Sequence, residues 1–166
     1  MAVSVQFPAA KAHATLKQVQ VFQQAIEDHR YLSEYVANAR QSTAVFGESE
    51  PRKRLASMRA FFAEHVVGHF AFEEKHVFPT LIATESVPGN RQAVTELVDE
   101  HRVMLISVRK LRRRMRNAQA SGSARSLAHL EQSFRDFLHI LQAHAVKEDN
   151  ILLAVKQSRR SGVRLS

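Results

Sequence analysis

At 166 residues, of which 45% are hydrophobic, the chain is long enough for one domain with a substantial buried core. It has no cysteine, which excludes disulfides, thiolate zinc sites and cysteine-ligated iron–sulfur clusters, and no run approaching the ~20 apolar residues of a membrane span. The formal charge of +8 is densest in Arg109-Lys110-Leu111-Arg112-Arg113-Arg114-Met115-Arg116 and Arg159-Arg160-Ser161-Gly162-Val163-Arg164, where no nucleic-acid motif or stacking aromatic accompanies it, so a solvated helix face and a frayed tail are the favoured reading.

The opening residues 1–8 lack a basic region followed by a long apolar one, so no secretory signal is expected and a cytoplasmic protein is the simplest reading. A first helix is predicted over about 14–45, with Phe22, Ile26, His29, Leu32 and Val36 on one stripe. Phe46-Gly47 and Ser49-Glu50-Pro51 end it, and Pro51 suits the first turn of a second helix over 51–84, where Phe62, Val66, His69, Phe72 and Glu73 share a face. Val87-Pro88-Gly89-Asn90 makes the next break, with Asn90 as N-cap of a helix over 91–119 striped by Leu97, Val98, His101, Leu105 and Val108. Ser121-Gly122-Ser123 is the last break. Ser123 caps a helix over 124–158 that carries Phe137, Ile140, Leu141, His144, Glu148 and Ile151. Short links between long helices predict an all-α, up-down-up-down antiparallel four-helix bundle, a single domain over 1–166 with its core at about 14–158.

The apolar stripes are interrupted in a repeating way. Glu27-Asp28-His29-Arg30 and Asp99-Glu100-His101-Arg102 form one matched pair; His69-Phe-Ala-Phe-Glu73-Glu74 and His144-Ala-Val-Lys-Glu148-Asp149 form another. His29 to His101 is 72 positions and His69 to His144 is 75, which is an internal two-fold helical-hairpin repeat. In the second pair His and Glu lie four apart, on one face of a helix. A carboxylate on a buried stripe is costly unless it is paired or bound to a metal. Four imidazoles and two carboxylates are enough to hold two metal ions inside a bundle, and that donor set suits iron, with manganese and zinc as substitutes. Six protein donors cannot saturate two six-coordinate ions, which leaves positions for oxo or hydroxo bridges, O2, NO or peroxide. Taken singly, a core His is more often a structural, hydrogen-bonded residue, and a lone His-x3-Glu is common on solvated helices. Four elements in register with the stripes favour metal. His65, one turn before His69, is a further ligand or an outer partner; His76 is placed at the bundle mouth; His13, His129 and His139 read as surface residues.

Across roughly residues 15–157 the chain resembles a hemerythrin-like (HHE cation-binding) domain, through Ile26-Glu27-Asp28-His29, His69 to Glu74 with Phe78-Pro79-Thr80-Leu81, Asp99-Glu100-His101, and His144 to Asp149. The resemblance implies a bundle around two non-haem iron ions of the oxo-bridged type, with His29 and His69 on one iron, His101 and His144 on the other, and Glu73 and Glu148 bridging. Oxygen-carrying members add a His one turn after the ligand of the third helix, where this chain has Leu105. They also place the last carboxylate as Asp five residues after its His, where this chain offers Glu148 and Asp149; the repeat selects Glu148. The ligand set is closest to the Ric-type iron–sulfur-cluster repair branch, although the Cys-containing domain of those proteins is missing. The resemblance therefore implies a di-iron protein that binds, senses or reacts with O2, NO or peroxide. Iron donation to an apo iron–sulfur protein, or a metal-stabilised interaction module, are the alternatives. Whether it turns over a substrate is left open, and neither nucleic acid nor membrane is expected as a partner.

Overall fold

The computed structural model describes residues 9–41, 51–83 and 89–162, with side chains described over 19–38, 55–83 and 89–158. These residues form four helices: α1 (Ala9–Gln41), α2 (51–82), α3 (Asn90–Ser121) and α4 (Ala124–Gly162). No strand occurs among the described residues. The break at Ser121-Gly122-Ser123 falls where expected and Pro51 opens α2, whereas residues 42–50 and 84–88, which hold the rest of the first two predicted breaks and the ends of the first two predicted helices, lie outside the described residues.

Ser123 caps α4 as anticipated, its Oγ accepting the backbone N–H of Ser126 at 3.2 Å. Asn90 does not cap α3. It is already helical and buried, and its Nδ2 donates to the carbonyl of Leu81 at 3.2 Å, tying the start of α3 to the end of α2. Gly89 precedes it at φ 87°, a left-handed conformation open to glycine and closed to most other residues.

Helix α2 is unusual in carrying two π-helical stretches, Phe61–Val66 and Glu73–Val77. Its buried positions explain why. Met58, Phe62, Val66 and Phe70 are all buried at intervals of four, as are His69, Glu73, Val77 and Leu81. In a straight α-helix each such step overshoots a full turn by about 40°, so a long series would wind off the core. A π turn takes in one more residue and restores the phase. Pro79 adds a local cause for the second stretch: it has no N–H for the carbonyl four residues back, and just ahead of it the Phe78 N–H donates to Glu73 O, five residues back.

The core is split. The larger apolar cluster includes Leu32, Val36, Phe62, Val66, Phe70, Met104, Val108, Phe134, Phe137 and Leu141; the smaller includes Ala25, Val77, Phe78, Leu81, Val94, Leu97, Leu152 and Val155. In every helix a buried polar residue sits between them: His29, then His69 with Glu73, then His101, then His144 with Glu148. Several predicted stripe members are displaced by one position. Ala25, Met104 and Leu152 take core places expected of Ile26, Leu105 and Ile151; Ile26 and Ile140 are exposed, and Phe22, Phe72, Val98, Leu105 and Ile151 are half-buried at the margin. Size misled here, since phase relative to the buried histidines decides which face is inside.

Phe62 is fully buried, edge-on to Phe134 and Phe137 at centroid distances of 5.8 and 5.3 Å. Phe62→Ala is expected to cost about 3–5 kcal/mol in urea unfolding, against about 0.5 kcal/mol or less for truncation of the exposed Val103.

Candidate metal centre

His29, His69, Glu73, His101, His144 and Glu148, the six residues singled out by the repeat, are all buried and converge on one region of the bundle. Two groups of donor atoms could each hold an ion, His29 with His69 and Glu73, and Glu73 with His101, His144 and Glu148, each within 4.8 Å. Glu73 belongs to both. Its Oε1 lies 2.8 Å from His69 Nε2 and 3.0 Å from His29 Nε2, and its Oε2 lies 3.3 Å from His101 Nε2. Glu148 Oε2 stands between His29 Nε2 at 3.5 Å and His144 Nε2 at 3.6 Å. The two imidazole nitrogens His101 Nε2 and His144 Nε2 face each other at 3.0 Å.

Outside this cluster each imidazole meets a carboxylate from the next helix round the bundle. Asp149 of α4 takes His29 Nδ1 at 2.7 Å; Glu74 of α2 takes His101 Nδ1 at 3.0 Å; Glu100 of α3 takes His144 Nδ1 at 2.7 Å. Asp28 of α1 closes the circuit at His69 Nδ1, 3.7 Å away, beyond hydrogen-bond distance. Glu100 is itself gripped by Lys147 Nζ at 2.7 Å, which also holds Glu96 at 2.9 Å. A carboxylate on Nδ1 places the proton there and leaves Nε2 as a lone pair directed inward. Neutral His101 and His144 thus present two lone pairs to each other, and His29 presents one to a carboxylate oxygen. Both oxygens of Glu148, Oε2 of Glu73 and both ring nitrogens of His69 have no well-aligned hydrogen bond. Only cations relieve such a buried convergence of acceptors, so the residues present fit bound metal ions.

Without a metal, protons serve as the cations. Burial works against a charged His29, yet Glu148 and Glu73 outweigh it and raise it from 6.5 to about 11. Burial likewise opposes ionisation of Glu73, but His101, His29 and His69 hold it well below the usual carboxylate range. Glu148 is pushed up to about 7, first by burial, with the charge of Glu73 adding to it. Burial opposes a charged His101, yet Glu73 raises it, whereas burial lowers His144, with Glu100 acting against that and the neighbouring His101 adding to it.

The other singled-out histidines stand apart from the cluster. His65 is half-buried with its ring 4.4 Å from that of Tyr31; His76 is exposed, 5.3 Å from the Phe72 ring; His129 and His139 are on the surface, and the side chain of His13 lies outside the described residues. The outer carboxylates Asp28, Glu74 and Glu100 stand inside the repeated elements but were assigned no role from the sequence. Each is the immediate neighbour of a cluster residue, and that adjacency was the available signal. Asp149, weighed against Glu148, is half-exposed and bonded to His29, while Glu148 is the buried one.

The family model for the hemerythrin HHE cation binding domain matches residues 22–155. Neither the curated proteins nor the solved structures compared with the chain gave a match.

Glu100→Ala, which frees the outer nitrogen of His144, should weaken metal affinity about 10–100-fold in chelator competition, whereas Asp99→Ala, which removes only an exposed contact to Arg102, should not. Because the folded-state value of His29 lies above its unfolded one, its stabilisation of metal-free protein is complete below 6.5 and is lost as pH rises toward about 11. Thermal unfolding of metal-free protein should therefore show a falling midpoint between about pH 7 and about pH 10, a slope that His29→Gln flattens. Metal affinity should run the other way, since uptake displaces these protons.

Proposed function

We propose that this chain, which belongs to the hemerythrin HHE cation-binding family, holds two non-haem iron ions and uses them to bind, sense or react with O2, NO or peroxide. His29 and His69 would hold one ion, His101 and His144 the other, with Glu73 and Glu148 shared between them. The observation that carries the reading is the inward convergence of acceptor atoms, with the outer nitrogens of His29, His101 and His144 already occupied by carboxylates. Iron in this setting supplies redox change and open coordination positions.

The chain's own residues define what those positions can accept. Four imidazoles and two carboxylates leave both ions short of six ligands. Leu105, where a fifth imidazole would sit, instead packs half-buried against the larger apolar cluster. That supports reaction or sensing, on the pattern of the Ric-type branch, over reversible oxygen storage. The stacked rings of Phe70 and Phe78 lie at 4.0 and 5.3 Å from His101 and exclude water from that side. The up-down-up-down course and the internal hairpin repeat belong to the same proposal. Asp28 with His69, Tyr31 with His65 and Tyr35 with Phe61 pair α1 and α2 in opposite senses, as Glu74 with His101 and Leu81 with Asn90 do for α2 and α3. Among the described residues no helix is long and apolar enough to cross a membrane; a cytoplasmic location belongs to the same proposal.

Anaerobic reconstitution with Fe(II), followed by metal analysis and Mössbauer spectroscopy before and after exposure to O2, NO and peroxide, tests the reading. About two irons per chain, magnetically coupled, with a spectrum that changes on adding one of these molecules, is the expected result. Glu73→Ala should abolish the coupling. An unchanged fold with no bound metal would sink the proposal. A stable di-iron site inert to all three molecules that nonetheless passes iron to an apo iron–sulfur protein would convert it into a carrier.

A further inference from the structure

The buried cluster borders a cleft between α1 and α2. The cleft has a volume of about 710 Å³, with Glu27 and Asp28 on one wall, Glu64, His65 and Gly68 on the other, and His69 at its inner end. No Lys or Arg lines it, although the chain as a whole carries +8. At Gly68 the wall is missing: a Cβ built there meets nothing within 4 Å. His69 is only 5% exposed, yet it borders the cleft and neither ring nitrogen has a well-aligned hydrogen bond. Its carboxylate Asp28 stands off at 3.7 Å, with one oxygen already taking Gln24 Nε2 at 2.8 Å.

We propose that this cleft is the loading port through which a divalent metal ion reaches the buried cluster, with Glu27 and Glu64 drawing the hydrated cation inward and His69 receiving it first. The inference rests on the metal-binding reading above and adds a route to it. Carboxylates in a concave site focus the field and raise the local concentration of cations, an effect that matters most where the remaining surface repels them. A neutral diatomic gains nothing from such a lining, so the chemistry of the walls selects a cation. Water is shed stepwise against carboxylate and imidazole donors, and His69, whose inner nitrogen lies 2.8 Å from Glu73 Oε1, is the imidazole whose outer nitrogen stands off from its carboxylate on the cleft side. His65, one helical turn outward from His69 and braced against Tyr31, offers an intermediate donor on the way. The outer nitrogens of the other three imidazoles are closed off by hydrogen-bonded carboxylates.

Stopped-flow mixing of metal-free protein with Co(II), followed by its visible absorption, reads the route directly. Uptake should be second order, faster at low ionic strength, and slowed roughly tenfold in the Glu27→Gln/Glu64→Gln double variant, with most of the salt dependence gone. Gly68→Leu, which supplies the missing wall in open space, should slow uptake without altering the final stoichiometry or spectrum. Circular dichroism identical to that of the parent confirms that each variant is folded. Variants that load at the parent rate, or a parent rate independent of Co(II) concentration, would overturn the port, the latter because loading would be limited by opening of the bundle. Equal endpoints at unchanged rates bring down the port alone; a parent chain that takes up no metal brings down the metal-binding reading and the port together.

Discussion

The structure turns on one constraint: buried imidazoles whose outer nitrogens are committed to carboxylates must direct lone pairs at one another and at buried carboxylate oxygens. His101 Nε2 and His144 Nε2 at 3.0 Å, with Glu74 and Glu100 on their far sides, show it most plainly. Acceptors do not attract acceptors, so the arrangement is tolerable only with cations among them, whether protons or metal ions. The raised values of His29 and His101 and the depressed one of Glu73 are the proton form of that answer. Bound metal ions are the other form that the buried donors fit.

The rest of the fold serves to keep that convergence in place. The polar layer lies between two apolar clusters, so it cannot swell with water or slide along the bundle without exposing phenylalanines on one side or Val77, Leu97 and Val155 on the other. The π-helical stretches of α2 contribute at the same level. They keep His69, Glu73, Val77 and Leu81 on one face, which an unbroken α-helix of that length would not. The carboxylates run from α1 to α2, α2 to α3, α3 to α4 and α4 back to α1, and in the last three contacts a hydrogen bond fixes the imidazole of the neighbouring helix.

The cluster was legible in the sequence because burial of a charge is rare and repetition of it rarer; six residues in a repeated order could be named without knowing their distances. The last helix break was legible from Ser121-Gly122-Ser123 for an equally local reason. The exact core face was not. Ile26 and Ile140 outrank Ala25 in hydrophobicity, yet they face solvent, because tertiary phase relative to His29 and His144 decides burial and a one-residue shift rotates a side chain by about 100°. The π stretches were missed since the intervals of four in α2 also fit an α-helix over short spans. The role of the outer carboxylates was not legible, although they stand inside the repeated elements, because their partners lie on other helices, from 27 to 120 positions away.

The circuit of carboxylates is not uniform, and its weakest member is informative. Three of the four contacts are hydrogen bonds of 2.7 to 3.0 Å, while Asp28 and His69 stand 3.7 Å apart. A site closed equally on all sides would hold its ions well and admit nothing. Loosening one imidazole concentrates the exchange at one corner, beside the cleft, while the other three keep their orientation. His69 touches the cluster through Glu73 Oε1, 2.8 Å from its Nε2, and takes no part in the facing His101–His144 pair or in the hold of Asp149 on His29. On the proposed route, stability of the centre and access to it fall to different histidines of the same set.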